Sequence, residues 1–149
     1  YGYNRHFLEK KLKEMFPTTI IRLPALFGKG LRKNVLYDLL HKKHLDKINL
    51  NSSYQFYNLK NLNNDIDKAL ENNLETLNIA TEPIKLSEVV KLCFDFRIKS
   101  NPSIEPRVEN MLTKHSKILN KTKNYLYLKD EIIDEIRNFK SKGLKNNNE

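Results

Sequence analysis

The first five residues, Tyr1-Gly2-Tyr3-Asn4-Arg5, hold the pair best suited to chemistry. On a helix, Tyr1 and Arg5 stand one turn apart on the same face. A cation at that spacing favours the phenolate and lowers the tyrosine pKa from its reference of about 10. Such a tyrosine can exchange a proton with a substrate hydroxyl or carbonyl oxygen near neutral pH. The bare spacing is also met by an ordinary half-buried tyrosine beside a surface arginine. Other reactive types are sparser. His41 and His44 lie three apart with Asp38 nearby, but no further ligands follow at motif spacing, so we assign no metal site. His6 reads as a surface residue. Cys93, the only cysteine, sits in Val89-Val90-Lys91-Leu92-Cys93-Phe94 and reads as a small buried hydrophobe. It excludes an internal disulfide framework and a cysteine-cluster zinc site. Gly28-Lys29-Gly30 reads as a chain reversal, with no glycine-rich phosphate loop around it.

The elements that must position these residues follow from apolar spacing and from breakers. Tyr1, Arg5, Leu8 and Leu12 share one face of a helix over 1–16, which Pro17 ends. The β-branched run Thr18 to Leu23 predicts a buried strand, and Pro24 to Gly30 a loop. A helix over 33–45 follows, then two extended pieces within 47–59 broken at Asn51-Ser52. Next come a helix over 61–72 and a strand over Glu75 to Ala80. Ser87 is the expected N-cap of a helix reaching Phe96. Lys99 to Pro106 reads as a loop. A last helix starts near Asp130, with Ile132, Ile133, Ile136 and Phe139 at helical spacing, and residues 141–149 read as a frayed tail. Strands alternate with helices, so the expected class is α/β.

Composition sets the outer limits. The 149 residues carry 27 Lys plus Arg against 18 Asp plus Glu, a formal net charge of +9. The basic residues are 21 Lys and only 6 Arg, in a chain rich in Asn and Ile, which points more to a solvated surface than to a phosphate-reading one. No run of 18 apolar residues exists, so no transmembrane helix is expected and no membrane partner is assigned. With neither a signal nor a transit pattern, the default location is cytoplasmic. The chain opens inside a helix without an initiator methionine, which suggests a fragment.

One family fits the order of these features. A helix with Y-G-Y-N-R-H-F-L-E-K, then a strand running into R-L-P-A-L-F-G, resembles the second half of the NAD-dependent epimerase/dehydratase family, the extended short-chain dehydrogenase/reductases. That family carries Y-x-x-x-K on a helix and an R-[hydrophobic]-x-[N/A]-x-[Y/F]-G loop some twenty residues later. Arg22 to Gly28 match the loop in register. YQFYNLKNL, from Tyr54 to Leu62, and LNIATEPIKLS, from Leu77 to Ser87, resemble later family segments, so the likeness covers about residues 1–96.

The resemblance implies an α/β fold: the C-terminal fragment of a Rossmann-type parallel sheet with a small α/β substrate-binding lobe. It divides the chain into 1–30, the end of the Rossmann-type domain; 31–140, the substrate-binding portion; and 141–149, a flexible tail. It makes Tyr1 the catalytic acid/base and puts Arg5 where the family has Lys, bound to the nicotinamide ribose. Leu23, Pro24 and Ala25 would run along the cofactor, and Asn34 and Gln55 would lie on the substrate side. The glycine fingerprint is absent from these 149 residues. The implied full-length parent binds NAD or NADP and acts on a nucleotide-sugar by epimerisation, dehydration or reduction. This chain alone would bind no cofactor and be inactive. Its partners would be the nucleotide-sugar, the missing N-terminal half and, through an uncovered sheet edge, a second copy. The alternative is a basic nucleic-acid or protein interaction module over 110–129, where Lys114, Lys117, Lys121, Lys123 and Lys129 interleave with Tyr125 and Tyr127 and no acid occurs. No nucleic-acid motif accompanies them, so nucleic acid is the less favoured partner.

Overall fold

The computed structural model describes residues 2–119, 121 and 124–145. Among them the fold is mixed α/β, with five α-helices and three pairs of short strands. Helix α1 (Gly2–Met15) opens the chain and leads to strand β1 (Ile20–Arg22). Strand β2 (Ala25–Phe27) and helix α2 (Val35–His41) follow. Strands β3 (Ser53–Tyr54) and β4 (Phe56–Asn58) precede helix α3 (Leu62–Glu71). Strand β5 (Thr76–Asn78), strand β6 (Ile84–Lys85), helix α4 (Leu86–Cys93) and helix α5 (Lys129–Lys145) complete the order.

Pairing brings distant segments together. β1 runs parallel to β5 with Ile21 opposite Leu77, and β2 parallel to β4 with Leu26 opposite Tyr57. β3 and β6 are antiparallel, with Tyr54 opposite Ile84. Strand alternation then splits the interior into two cores. Phe56 and Phe27 enter one, with Leu36, Leu39, Ile84, Val89, Cys93, Ile132 and Ile136. Tyr57 enters the other, with Ala69, Leu77, Ile79 and Leu126. All three residues of β4 are buried, so it is the strand on which both cores close. Each fully buried large side chain contributes about 1.5–3 kcal/mol through area removed from water.

Several local expectations are corrected. Ala25–Phe27 is a strand and not a loop, because Ala25 N–H donates to Gln55 O at 3.0 Å and Phe27 is fully buried. The reversal is instead confined to Gly28 and Gly30, both at positive φ; a Cβ on Gly28 would stand 3.3 Å from Leu59 Cβ. The β1 run is half-buried and not buried, with Arg22 exposed. The second helix stops at His41, since Lys42 takes a left-handed conformation and closes a C-cap on Asp38 and Leu39. Residues 45–47 form a 3₁₀ turn, and the first expected extended piece, Ile48 to Asn51, is not a strand but runs into a turn at 50–51. Ser87 lies inside α4 and not at its cap; its N–H donates to Leu50 O. The tail assigned to 141–149 is helical as far as Lys145, and residues 146–149 lie outside the described residues.

Candidate functional site

One cleft of about 730 Å³ opens where α1, the β1–β2 connection, the start of α2 and β3 meet. Arg5 lines it from the first turns of α1, and Leu23, Pro24 and Ala25 form one wall. Asn34, Val35, Tyr54 and Gln55 line another side. Every site residue expected from the sequence that falls within the described residues therefore meets at one place, although these residues span 50 positions of chain. Tyr1 lies outside the described residues.

The fourth side of the cleft was not legible in the sequence. Arg107, Glu109, Asn110 and Met111 line it, from a segment without helix or strand apart from an isolated bridge between Ser53 and Val108. The segment is held against β3: Ser53 N–H donates to Arg107 O at 2.7 Å, and Glu109 N–H donates to Ser53 O at 3.0 Å. Arg107 Nε pairs with Glu109 Oε1 at 2.7 Å, and the guanidinium carbon lies 6.0 Å from the centre of the Tyr54 ring. That ring in turn stacks on Phe56 at 5.6 Å. The hint in the sequence is an arginine flanked by an acid two residues to either side, Glu105 and Glu109.

Two expected substrate contacts turn out to be committed to the protein. Asn34 caps α2: its Oδ1 accepts from Leu36 N–H at 3.0 Å and Tyr37 N–H at 3.1 Å, while its Nδ2 donates to Leu26 O at 2.8 Å. Gln55 is 1% exposed, and its carboxamide bonds the backbone of Met111 and Thr81. The cleft lining holds the guanidinium groups of Arg5 and Arg107 and the carboxylate of Glu109, with which Arg107 pairs.

The remaining candidates are placed elsewhere. A second cleft of about 790 Å³ lies beside β5, lined by Arg22, Asn73, Thr76, Asn78, Lys114 and His115 among others, and it takes in none of the expected site residues. Among the described residues no group of three or more His, Cys, Asp or Glu could hold a metal ion. Cys93 is buried, and burial pushes its thiol up to about 11. Among the described residues, no helix is long and apolar enough to cross a membrane.

Within the basic stretch over 110–129, Lys114 and Lys117 are exposed, while two other lysines are paired. Lys121 pairs with Glu131 at 2.6 Å and Lys129 with Glu88 at 3.0 Å. Tyr125 donates to Asn110 Oδ1, and Tyr127 turns inward to donate to the buried carboxylate of Asp65. Lys123 lies outside the described residues. Compared with known proteins, the chain matches no family model and no curated protein.

Proposed function

We propose that this chain is the C-terminal part of an NAD(P)-dependent nucleotide-sugar epimerase, dehydratase or reductase of the extended short-chain dehydrogenase/reductase type, and that the first cleft is the later half of its active site. The observation that carries the reading is convergence. Arg5, Leu23–Ala25, Asn34 and Gln55 were singled out by motif order, and all of them line one cleft. In this reading Leu23, Pro24 and Ala25 face the nicotinamide, and the Arg5 guanidinium lies on the side of the ribose hydroxyls. NAD(P), when bound, supplies the hydride chemistry. Tyr1 holds or releases the proton at the reacting oxygen, with the Arg5 charge favouring its phenolate. Arg107 binds the negatively charged part of the nucleotide-sugar, oriented by Glu109 and by the face of Tyr54.

The outer face of α1 fits the same reading. None of its residues is buried, and Tyr3, Phe7, Leu8 and Met15 are all more than half exposed. Strand β1 pairs only with β5, so its other edge is open among the described residues. An N-terminal half of the sheet would cover both, and a second copy of the chain is the other cover that would remove this apolar surface from water.

The test is a titration of the 149-residue chain with UDP, GDP and dTDP, followed by amide chemical shifts. The reading expects saturable shifts for at least one of the three at Arg5, Tyr54 and the 107–111 segment. No saturable shift for any of them at millimolar concentration, or shifts confined to the cleft along β5, would overturn it. A short RNA whose affinity falls steeply with salt would favour the nucleic-acid alternative.

A further inference from the structure

Gln55 spends nearly all of its hydrogen-bonding capacity on the protein. Its Oε1 accepts from Met111 N–H at 2.6 Å, and its Nε2 donates to Met111 O at 2.8 Å and also to Thr81 O. Its backbone N–H donates to Glu109 Oε2 at 3.2 Å, and its backbone O accepts from Ala25 N–H at 3.0 Å. The side-chain amide thus pairs with both polar groups of one residue, Met111, as a neighbouring strand residue would. A primary carboxamide is the side-chain group that offers an acceptor and two donors from one planar head. Asn is one methylene too short for the span, and a carboxylate offers no donor.

These bonds hold the cleft wall between two other sets of ties. Upstream, the segment is tied to β3 through Ser53 and through Ser52 Oγ, which accepts from Arg107 N–H at 3.1 Å. At Met111 it is tied through Gln55, the residue between β3 and β4, and just beyond it Leu112 O accepts from Asn78 Nδ2 at 2.9 Å. Glu109 carries the tie onward, because the same carboxylate accepts from Gln55 N–H with one oxygen and pairs with Arg107 Nε with the other.

We propose that Gln55 is a positioning residue: it latches residues 107–111 as the fourth wall of the cleft, and it acts on the ligand through Arg107 and Met111 rather than by touching it. The ligand part of this statement rests on the reading of the cleft given above; the latch itself does not.

The experiment compares the whole chain with two variants, by site-resolved amide exchange and by UDP titration. Gln55→Glu keeps the acceptor for Met111 N–H and removes both donors. Met111→Pro removes the N–H from the strap side, in case a buried substitution at Gln55 prevents folding. Both should raise exchange across residues 107–111 by about ten-fold, the loss of one or two ordinary hydrogen bonds. Amides of β1, β5 and α5 should stay as protected as before. In the Gln55→Glu variant, acidification should restore part of the strap's protection, since a protonated carboxyl regains one donor; a role in general stability would not give that profile. UDP affinity should fall by about the same factor in both variants. Unchanged exchange in the strap, or exchange rising equally throughout the chain, would overturn the latch. If the wild-type chain does not bind UDP while the strap responds as stated, the latch stands and the nucleotide reading is what fails.

Discussion

Replacing Asp65 by alanine should destabilise the chain severely without disturbing the cleft. The Asp65 carboxylate is 1% exposed. Its Oδ2 accepts from Tyr57 Oη at 2.7 Å, and Tyr127 Oη donates to both of its oxygens at 2.9 and 2.8 Å. The two rings lie 5.7 Å apart, so one acid on α3 fastens β4 to the segment that enters α5. A hydrogen bond to a charged acceptor is worth about 1.5–3 kcal/mol, so two phenols losing theirs cost about 3–6 kcal/mol. Release of the buried carboxylate from its desolvation penalty offsets part of that, so the lower half of the range is the expected one. Against a domain stability of about 5–15 kcal/mol, this is a large fraction. Urea unfolding at fixed m-value reads it as a fall in midpoint. Tyr127→Phe alone should cost about half as much, and the double variant should show coupling, since the two changes share one interaction. An Asp65→Ala loss below about 1 kcal/mol would refute the reasoning, because it would mean that burial penalty and hydrogen bonds cancel at this site.

The same pair of phenols gives a pH prediction. Burial first, then the hydrogen bonds to Asp65, raise both Tyr57 and Tyr127 above the ordinary phenol range. The unfolded chain therefore releases these protons from about pH 10 upward while the folded chain keeps them, so stability is full below that pH and falls as the pH rises further. Absorbance at alkaline pH should show two of the seven tyrosines ionising only with unfolding; all seven titrating together in the folded chain would contradict it. Cys93, with its thiol raised to about 11 by burial, should react with thiol reagents at pH 8 only as fast as the chain opens, and labelling faster than amide exchange in α4 would count against that. Arg107→Met keeps the apolar stem over Tyr54 and removes the charge. It should weaken UDP binding about ten- to a hundred-fold, the worth of one charge-assisted contact, while Lys114→Ala on the other cleft leaves it unchanged.

What could be read from the sequence divides along a physical line. The residues of α5 and α3 announce themselves because a helix buries one stripe, so Ile132, Ile133 and Ile136 recur at the spacing of the buried face. Arg5 and Leu23–Ala25 were picked out by their order along the chain, and they line the cleft. The 25–27 strand was hidden because Pro24 and Gly28 bracket three residues, and its reason for being extended lies 31 residues away in β4. Residues 107–111 were hidden for the same cause in stronger form. They have no periodicity of their own, and the groups that hold them, Ser52, Ser53 and Gln55, are separated from them by more than 50 residues. Asn34 and Gln55 line the cleft, but residue type alone could not tell a group that offers its amide to a ligand from one that has already given it to the backbone.

The stretch from Tyr54 to Tyr57 shows why such a group sits where it does. Successive side chains of an extended chain point to opposite faces. Tyr54 and Phe56 go to the first core and stack on each other; Gln55 and Tyr57 go the other way, Gln55 to Met111 and Thr81, Tyr57 to Asp65. A shift of one residue would put a carboxamide among Phe27, Ile84 and Ile132 and a phenylalanine against the backbone of Met111. The register that buries Phe56 is thus the register that aims Gln55 at the strap. The stability of the core and the shape of the cleft are fixed by a single alternation, and a change that loosened one without the other would have to act on the strap itself.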